Sequence, residues 1–176
     1  GHLVEYDVVY VPDGSYKTIW TKLGTKGQEK LMEFIEGGGN YIGVGRGGAA
    51  LVNEAQFIGA SANVIYSRVG GYINGICSVQ YAPDLITSGY PQNSYAFVWY
   101  PVLFSVGKGV NVIANLAEEN MFMAGFWPGW EKAQGKAIVV QGQCGEGNVI
   151  LYGTQPLFRA HTELTYRLVA NSLYCD

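Results

Sequence analysis

The sequence predicts an α/β fold, a three-layer sandwich with a mostly parallel central sheet and a β-rich insertion, filling a single domain over residues 1–176. Three observations lead there. The chain opens in β-α-β order, it closes on two apolar strands followed by a helix, and the stretch between them is β-prone.

Residues 6–11 (YDVVYV) form a short apolar run ended by Pro12-Asp13-Gly14, the pattern of a buried strand closed by a turn. After a polar loop, residues 26–36 place Leu31, Phe34 and Ile35 on one helical face, and Gly37-Gly38-Gly39 stops the helix. Residues 40–44 (NYIGV) are the next strand. Strand, helix, strand in that order implies a parallel pair with a right-handed crossover. In the middle, residues 63–69 and 71–79, joined at Gly70-Gly71, read as a hairpin beside the main sheet. Residues 95–100 and 110–116 are further strands. At the end, residues 136–141 and 148–152 flank the turn Gly145-Glu146-Gly147, and a helix over 162–174 buries Leu164, Leu168 and Leu173, with Thr162 or a neighbour as its cap.

Composition limits the partners. A net charge of −3 and the absence of any Lys/Arg cluster argue against a nucleic-acid ligand, and no apolar run has the length of a membrane span. Low charge together with 25 Gly and 13 Tyr suits a rigid extracellular domain. The three cysteines, Cys77, Cys144 and Cys175, spell out neither a zinc knuckle nor a CxxC pair; one disulfide with a free thiol and three separate thiols both remain open. The start at Gly1-His2-Leu3 reads as a piece excised from a longer protein, with Gly1 and His2 as a cloning remnant.

The segment Gly43-Val44-Gly45-Arg46-Gly47-Gly48 matches GxGxxG, but it follows the second strand and has no acid about 20 residues on to hold a ribose. It fits better as a strand-to-helix elbow, where small flanking residues let one residue present its side chain above the sheet. In class I glutamine amidotransferases that turn reads Gly-x-Cys-x-Gly. The sequence resembles it, with Gly45 at the nucleophile, and glycine has nothing to attack an amide. Those enzymes complete a triad with His-x-Glu, because a thiolate needs a base and the base an orienting carboxylate. His161-Thr162-Glu163 echoes that pair, but residues 156–160 intervene after the strand. Cys77 falls inside an expected strand and Cys144 in a turn, so neither occupies an elbow. Asp13, Arg46, Glu54, Arg159, His161 and Glu163 remain as candidates for a ligand cleft at the strand ends, against the plainer reading of solvated loop charges. Trp127 and Trp130, with the tyrosines, either form a sugar-stacking platform or belong to the core.

The late sequence carries a further resemblance. Residues 124–127 (AGFW), 135–140 (GKAIVV), 145–153 (GEGNVILYG) and 155–162 (QPLFRAHT) are similar to the signature of the amidotransferase-like domain that follows the catalytic domain in secreted bacterial zinc carboxypeptidases. Residues 34–39 and 84–91 match it more loosely. Gln155 stands where that family has arginine, and His161 where it has glutamine. The resemblance implies a flavodoxin-like fold, no catalytic residue, no metal and no cofactor in this chain, a secreted location, and a catalytic domain of the same parent protein as partner. The zinc and its ligands would belong to that domain. The alternative is a carbohydrate-binding or oligomerisation domain of a glycoside hydrolase.

Overall fold

The computed structural model describes residues 2–174. Strands β1 (Val8–Val11) and β2 (Asn40–Val44) flank helix α1 (Tyr16–Glu36) and pair in parallel, as the β-α-β reading requires. The helix is ten residues longer than its apolar face suggested. Ser15 caps its start by accepting from the Thr18 amide, and Gly24, at φ 61°, ψ 173°, interrupts it, so two helical segments run end to end. At the other end Gly37, Gly38 and Gly39 donate to the carbonyls of Glu33, Ile35 and Phe34, and the Phe34 ring fills the space a side chain on Gly39 would need.

Beyond β2 lie the short helices α2 (Gly45–Gly48) and α3 (Val52–Ala55), and then strands β3 (Ala60–Val64), β4 (Asn74–Tyr81), β5 (Asn93–Trp99), β6 (Val102–Val106), β7 (Val110–Leu116), β8 (Phe122–Phe126), β9 (Ala137–Cys144) and β10 (Gly147–Tyr152), closed by helix α4 (Tyr166–Ser172). All ten strands belong to one sheet, whose main path runs β1-β2-β10-β9-β7-β4-β5. The sheet is mixed, which corrects the mostly parallel expectation: only β1–β2 and β2–β10 are parallel, and the pairings of β3 to β9 are antiparallel. The cause is visible in the connections. A parallel crossover needs a dozen or more residues, whereas β9 and β10 are joined by Gly145 and Glu146 alone.

The middle stretch is therefore part of the main sheet. The expected hairpin about Gly70-Gly71 does not form, because β3 pairs with β6 while β4 pairs with β5, β7 and β8. Both glycines lie at φ near +80° in the loop between β3 and β4.

Alternate residues of the central strands point to two cores. Tyr41, Val149 and Leu151 pack with Leu31 and Ile35 of α1. Ile42, Val44, Ile150 and Tyr152 face the other way and meet Cys77, Val79, Val98 and Ile113 of the curled sheet, with Leu168 of α4. Much of the second layer is thus supplied by strands. Helix α4 is shorter than expected and follows a 3-10 turn over Glu163–Thr165; Leu164 and Leu173 are exposed, leaving Leu168 as the buried leucine of the three. No side chain caps it. Thr165 instead donates to the Pro156 and Thr162 carbonyls.

Candidate functional site

Strand β2 is buried along its whole length, with β1 and β10 on either side, so the turn that leaves it is held rigidly at the end of the parallel strands. Gly43 ends the pairing with β1 opposite Val11, and Val44 ends that with β10 opposite Tyr152. Gly45 then adopts φ +60°, a left-handed conformation costly to any residue with a Cβ, and the chain turns into α2. Gly48 lies against the Val11 carbonyl, too close for a side chain, and the Tyr41 hydroxyl donates to the Gly48 carbonyl at 2.8 Å. A tight strand-to-helix turn with a left-handed Gly45 stands at the position expected for the elbow.

What fills it decides its chemistry. A Cβ built on Gly45 would lie 2.5 Å from Nε2 of Gln155 and 2.6 Å from Oδ1 of Asp13. The volume where a nucleophile would stand is occupied by two polar side chains. Asp13 Oδ1 also accepts the Arg46 backbone N–H at 2.8 Å, while its Oδ2 meets the Arg46 guanidinium at 3.2 Å. In acyl transfer at such an elbow, the N–H of the residue after the nucleophile helps to hold the oxyanion. Here that donor is engaged by a carboxylate from the β1–α1 loop, so negative charge already sits where an oxyanion would develop.

Arg46 is further held by its guanidinium carbon, 4.6 Å from the Tyr100 ring centroid, in a cation–π contact. Its Nε, and Nε2 of Gln155, are buried without a hydrogen-bond partner among the described residues. A cleft of about 460 Å³ opens beside Arg46, between the start of α1 and β3, lined among others by Ser15, Lys17, Asn53, Asn63 and Tyr66. A larger hollow of about 710 Å³, over residues 56–61 and 105–107 with Gln143, holds no ionisable side chain.

Of the six cleft candidates, the structure joins Asp13 and Arg46 at the elbow. Glu54 is exposed on α3, and Glu163 is exposed in the 3-10 turn before α4. Arg159 is exposed at φ +49° with its guanidinium over the Phe158 ring. His161 stacks on Phe97 at 4.7 Å and on Phe158 at 5.6 Å, and among the described residues no hydrogen bond ties it to Glu163 or to the elbow. The His-x-Glu echo is not assembled as a base and its orienting acid. The sequence marks Gln155 as a departure from a family pattern, not as an elbow residue. Its signal is the strand end that precedes it, which delivers the next side chain toward the neighbouring turn.

The thiols are equally remote from nucleophilic chemistry. Cys77 is buried, and burial pushes its thiol up to about 12; Cys144 is raised as well, by partial burial and then by the Glu36 carboxylate. Both are free thiols, and Cys175 lies outside the described residues. Trp127 is a core residue and Trp130 stacks on Phe122 at 5.8 Å, so these two tryptophans form no platform.

No family model matches the sequence, and no curated protein matches it. Solved structures do share its fold. A protein from Thermoplasma acidophilum described as a GMP synthase component is similar at TM-score 0.65 and 14% identity, over 98% of this chain and 73% of that one. PurLQS from Thermotoga maritima is similar at TM-score 0.64 and 15% identity, over 96% and 78%. The β-galactosidase from Bacillus circulans is similar at TM-score 0.57 and 13% identity, over 98% of this chain but 23% of that much longer one. The fold is glutamine-amidotransferase-like, and the turn after β2 is filled by Asp13 and Gln155.

Proposed function

We propose that this chain is a non-catalytic accessory domain of a secreted zinc metallocarboxypeptidase, packing against or assisting the catalytic domain. The observation that carries the non-catalytic part is the elbow, where Gly45 offers no nucleophile and Asp13 engages the Arg46 N–H. The late signature over residues 124–162 supports the carboxypeptidase part. In this reading the zinc, its ligands and the general base belong to the preceding domain, and the present chain supplies no step of the hydrolysis.

A second reading, a carbohydrate-binding or oligomerisation domain of a glycoside hydrolase, is favoured by the likeness to a β-galactosidase, where an amidotransferase-like segment is a small part of a long enzyme. The two are separated by the parent protein. Peptidase activity of the full-length protein that is lost to a zinc chelator, with none in the present chain alone, is expected; a sugar-hydrolysing barrel upstream would replace the first reading by the second. Glutaminase activity of the chain would overturn both.

A further inference from the structure

We infer that the face built from Tyr72, Trp99, Phe158, His161, Arg68 and Arg159 docks a neighbouring protein domain whose surface has an apolar centre and a carboxylate-bearing rim. The inference rests on the accessory-domain reading and assigns its contact surface.

The centre of this face is a row of near-parallel rings. Tyr72 stacks on Trp99 at 5.3 Å and 18°, Trp99 on Phe158 at 5.6 Å and 18°, and Phe158 on His161 at 5.6 Å and 12°. Phe97, a core residue, lies under the row against Phe158 at 5.0 Å and His161 at 4.7 Å, which ties it to the sheet. Tyr66 and Tyr100 pack beside it. Such a row is rigid before anything binds, so little side-chain freedom is lost on docking.

Its geometry selects the partner class. A sugar stacks on the open face of a ring, but Trp99 and Phe158 each stack against rings within the row, so their faces are already used. What the row offers is an apolar ridge that ends in Tyr72, which is 65% exposed. A ridge of Trp, Tyr and Phe flanked by Arg has the composition of an interface hot spot.

Charge narrows the choice further. The chain carries −3 overall, yet the face is positive: the Arg159 guanidinium lies over Phe158, Arg68 stands in the loop between Tyr66 and Tyr72, and Arg46 reaches the edge of the face at Tyr100. Asp13 answers Arg46; Arg68 and Arg159 have no ion pair among the described residues. A partner with carboxylates at its rim completes them, whereas a second copy in a two-fold contact through this face would bring like charges together. The backbone is strained at the same place. Tyr100, Arg159 and Ala160 all have positive φ, at 46°, 49° and 55°, a costly state that clusters where structure serves a contact.

The test is photo-crosslinking in the full-length protein, with a benzophenone side chain in place of Tyr72 in one sample and of Tyr95, exposed on β5 outside the row, in another. A crosslink from position 72 to another domain of the same chain is expected, with its yield lowered about tenfold by Arg68→Glu with Arg159→Glu. Both arginines are exposed, so the variant should keep its thermal transition. A crosslink from position 95 and none from 72 overturns this surface while leaving the accessory-domain reading intact. No interdomain crosslink from either position overturns this surface, the accessory-domain reading being judged separately by the chelator-sensitive peptidase assay, and a crosslink from 72 to a second copy, or a yield indifferent to charge reversal, overturns the assigned partner.

Discussion

Substitution of Gly45 tests whether the elbow is closed. Gly45→Ala forces a Cβ to a point 2.5 Å from Gln155 Nε2 and 2.6 Å from Asp13 Oδ1, at φ +60°. The backbone conformation alone costs about 1–2 kcal/mol with a Cβ present. Overpacking adds about 1–3 kcal/mol, because one of the two side chains must withdraw, and Asp13 can do so only by weakening its bond to the Arg46 N–H. The expected loss is about 3–4 kcal/mol, read from urea midpoints at constant m. The contribution of Asp13 is isolated by repeating the substitution in an Asp13→Ala background, where the cost of Gly45→Ala should fall by about 1 kcal/mol or more. A loss below about 0.5 kcal/mol, or no coupling to either Asp13 or Gln155, would refute the closed elbow.

Gly45→Cys should likewise release no ammonia from glutamine in a coupled assay, since the base is unassembled and the oxyanion donor engaged; measurable turnover would show the site to be latent. Arg46→Ala removes the guanidinium from a partly buried carboxylate that keeps the residue-46 backbone N–H, together with the Tyr100 contact, and should lower the urea-derived stability by about 1–2 kcal/mol. For Cys77, a folded thiol raised from 9.0 to about 12 means that the unfolded chain releases its proton first. Its stabilising contribution is full below about pH 9 and falls by about 1.4 kcal/mol per pH unit from there toward pH 12. Cys77→Ala should remove that slope while Tyr41 and Tyr81, also raised by burial, keep theirs; an unchanged slope would contradict the assignment. Tyr152→Phe removes a buried hydroxyl bonded to the Leu168 carbonyl and Ser172, so amide exchange across Tyr166–Ser172 should quicken by about tenfold.

Where the sequence is readable, a strong local signal coincides with the tertiary one. Strands β2 and β7 match their apolar runs to the residue, and the β9–β10 turn matches its glycines, because apolar runs bounded by Gly leave the chain few alternatives. The parallel sheet is an extrapolation from the first β-α-β unit. Nothing local contradicts it until the connections are measured, and β5 to β6 spans just Tyr100 and Pro101. Gly70-Gly71 imitates a hairpin turn, but which strands pair is settled by the packing of Ile73, Cys77 and Val79 into the far core, a non-local matter. The elbow is legible as spacing. Its plug is not: Asp13 and Arg46 are 33 residues apart, and Gln155 follows β10, on the opposite side of β2 from the β1 end that carries Asp13.

That plug changes what the missing side chain at Gly45 means for the proposed non-catalytic reading. A glycine at the nucleophile position would, taken alone, be one substitution away from a cysteine enzyme. In this chain the αL turn, the Asp13 carboxylate on the Arg46 N–H and the Gln155 amide are mutually dependent, since each occupies space or satisfies a donor left open by the others. Restoring a nucleophile would require Asp13 to leave, which would strand the Arg46 guanidinium against Tyr100, and a base would still have to be brought from a loop whose His161 is committed to the aromatic row. A site that must change in at least three places at once is held by structure, not merely by the absence of a thiol. The same residues connect the elbow to the exposed ridge through the contacts of Arg46 with Tyr100 and of Tyr100 with Trp99 and Tyr72. Asp13 and Arg46 thus brace the surface inferred to carry the contact, so Asp13→Ala should loosen Tyr100 and lower the position-72 crosslink without touching the interface itself.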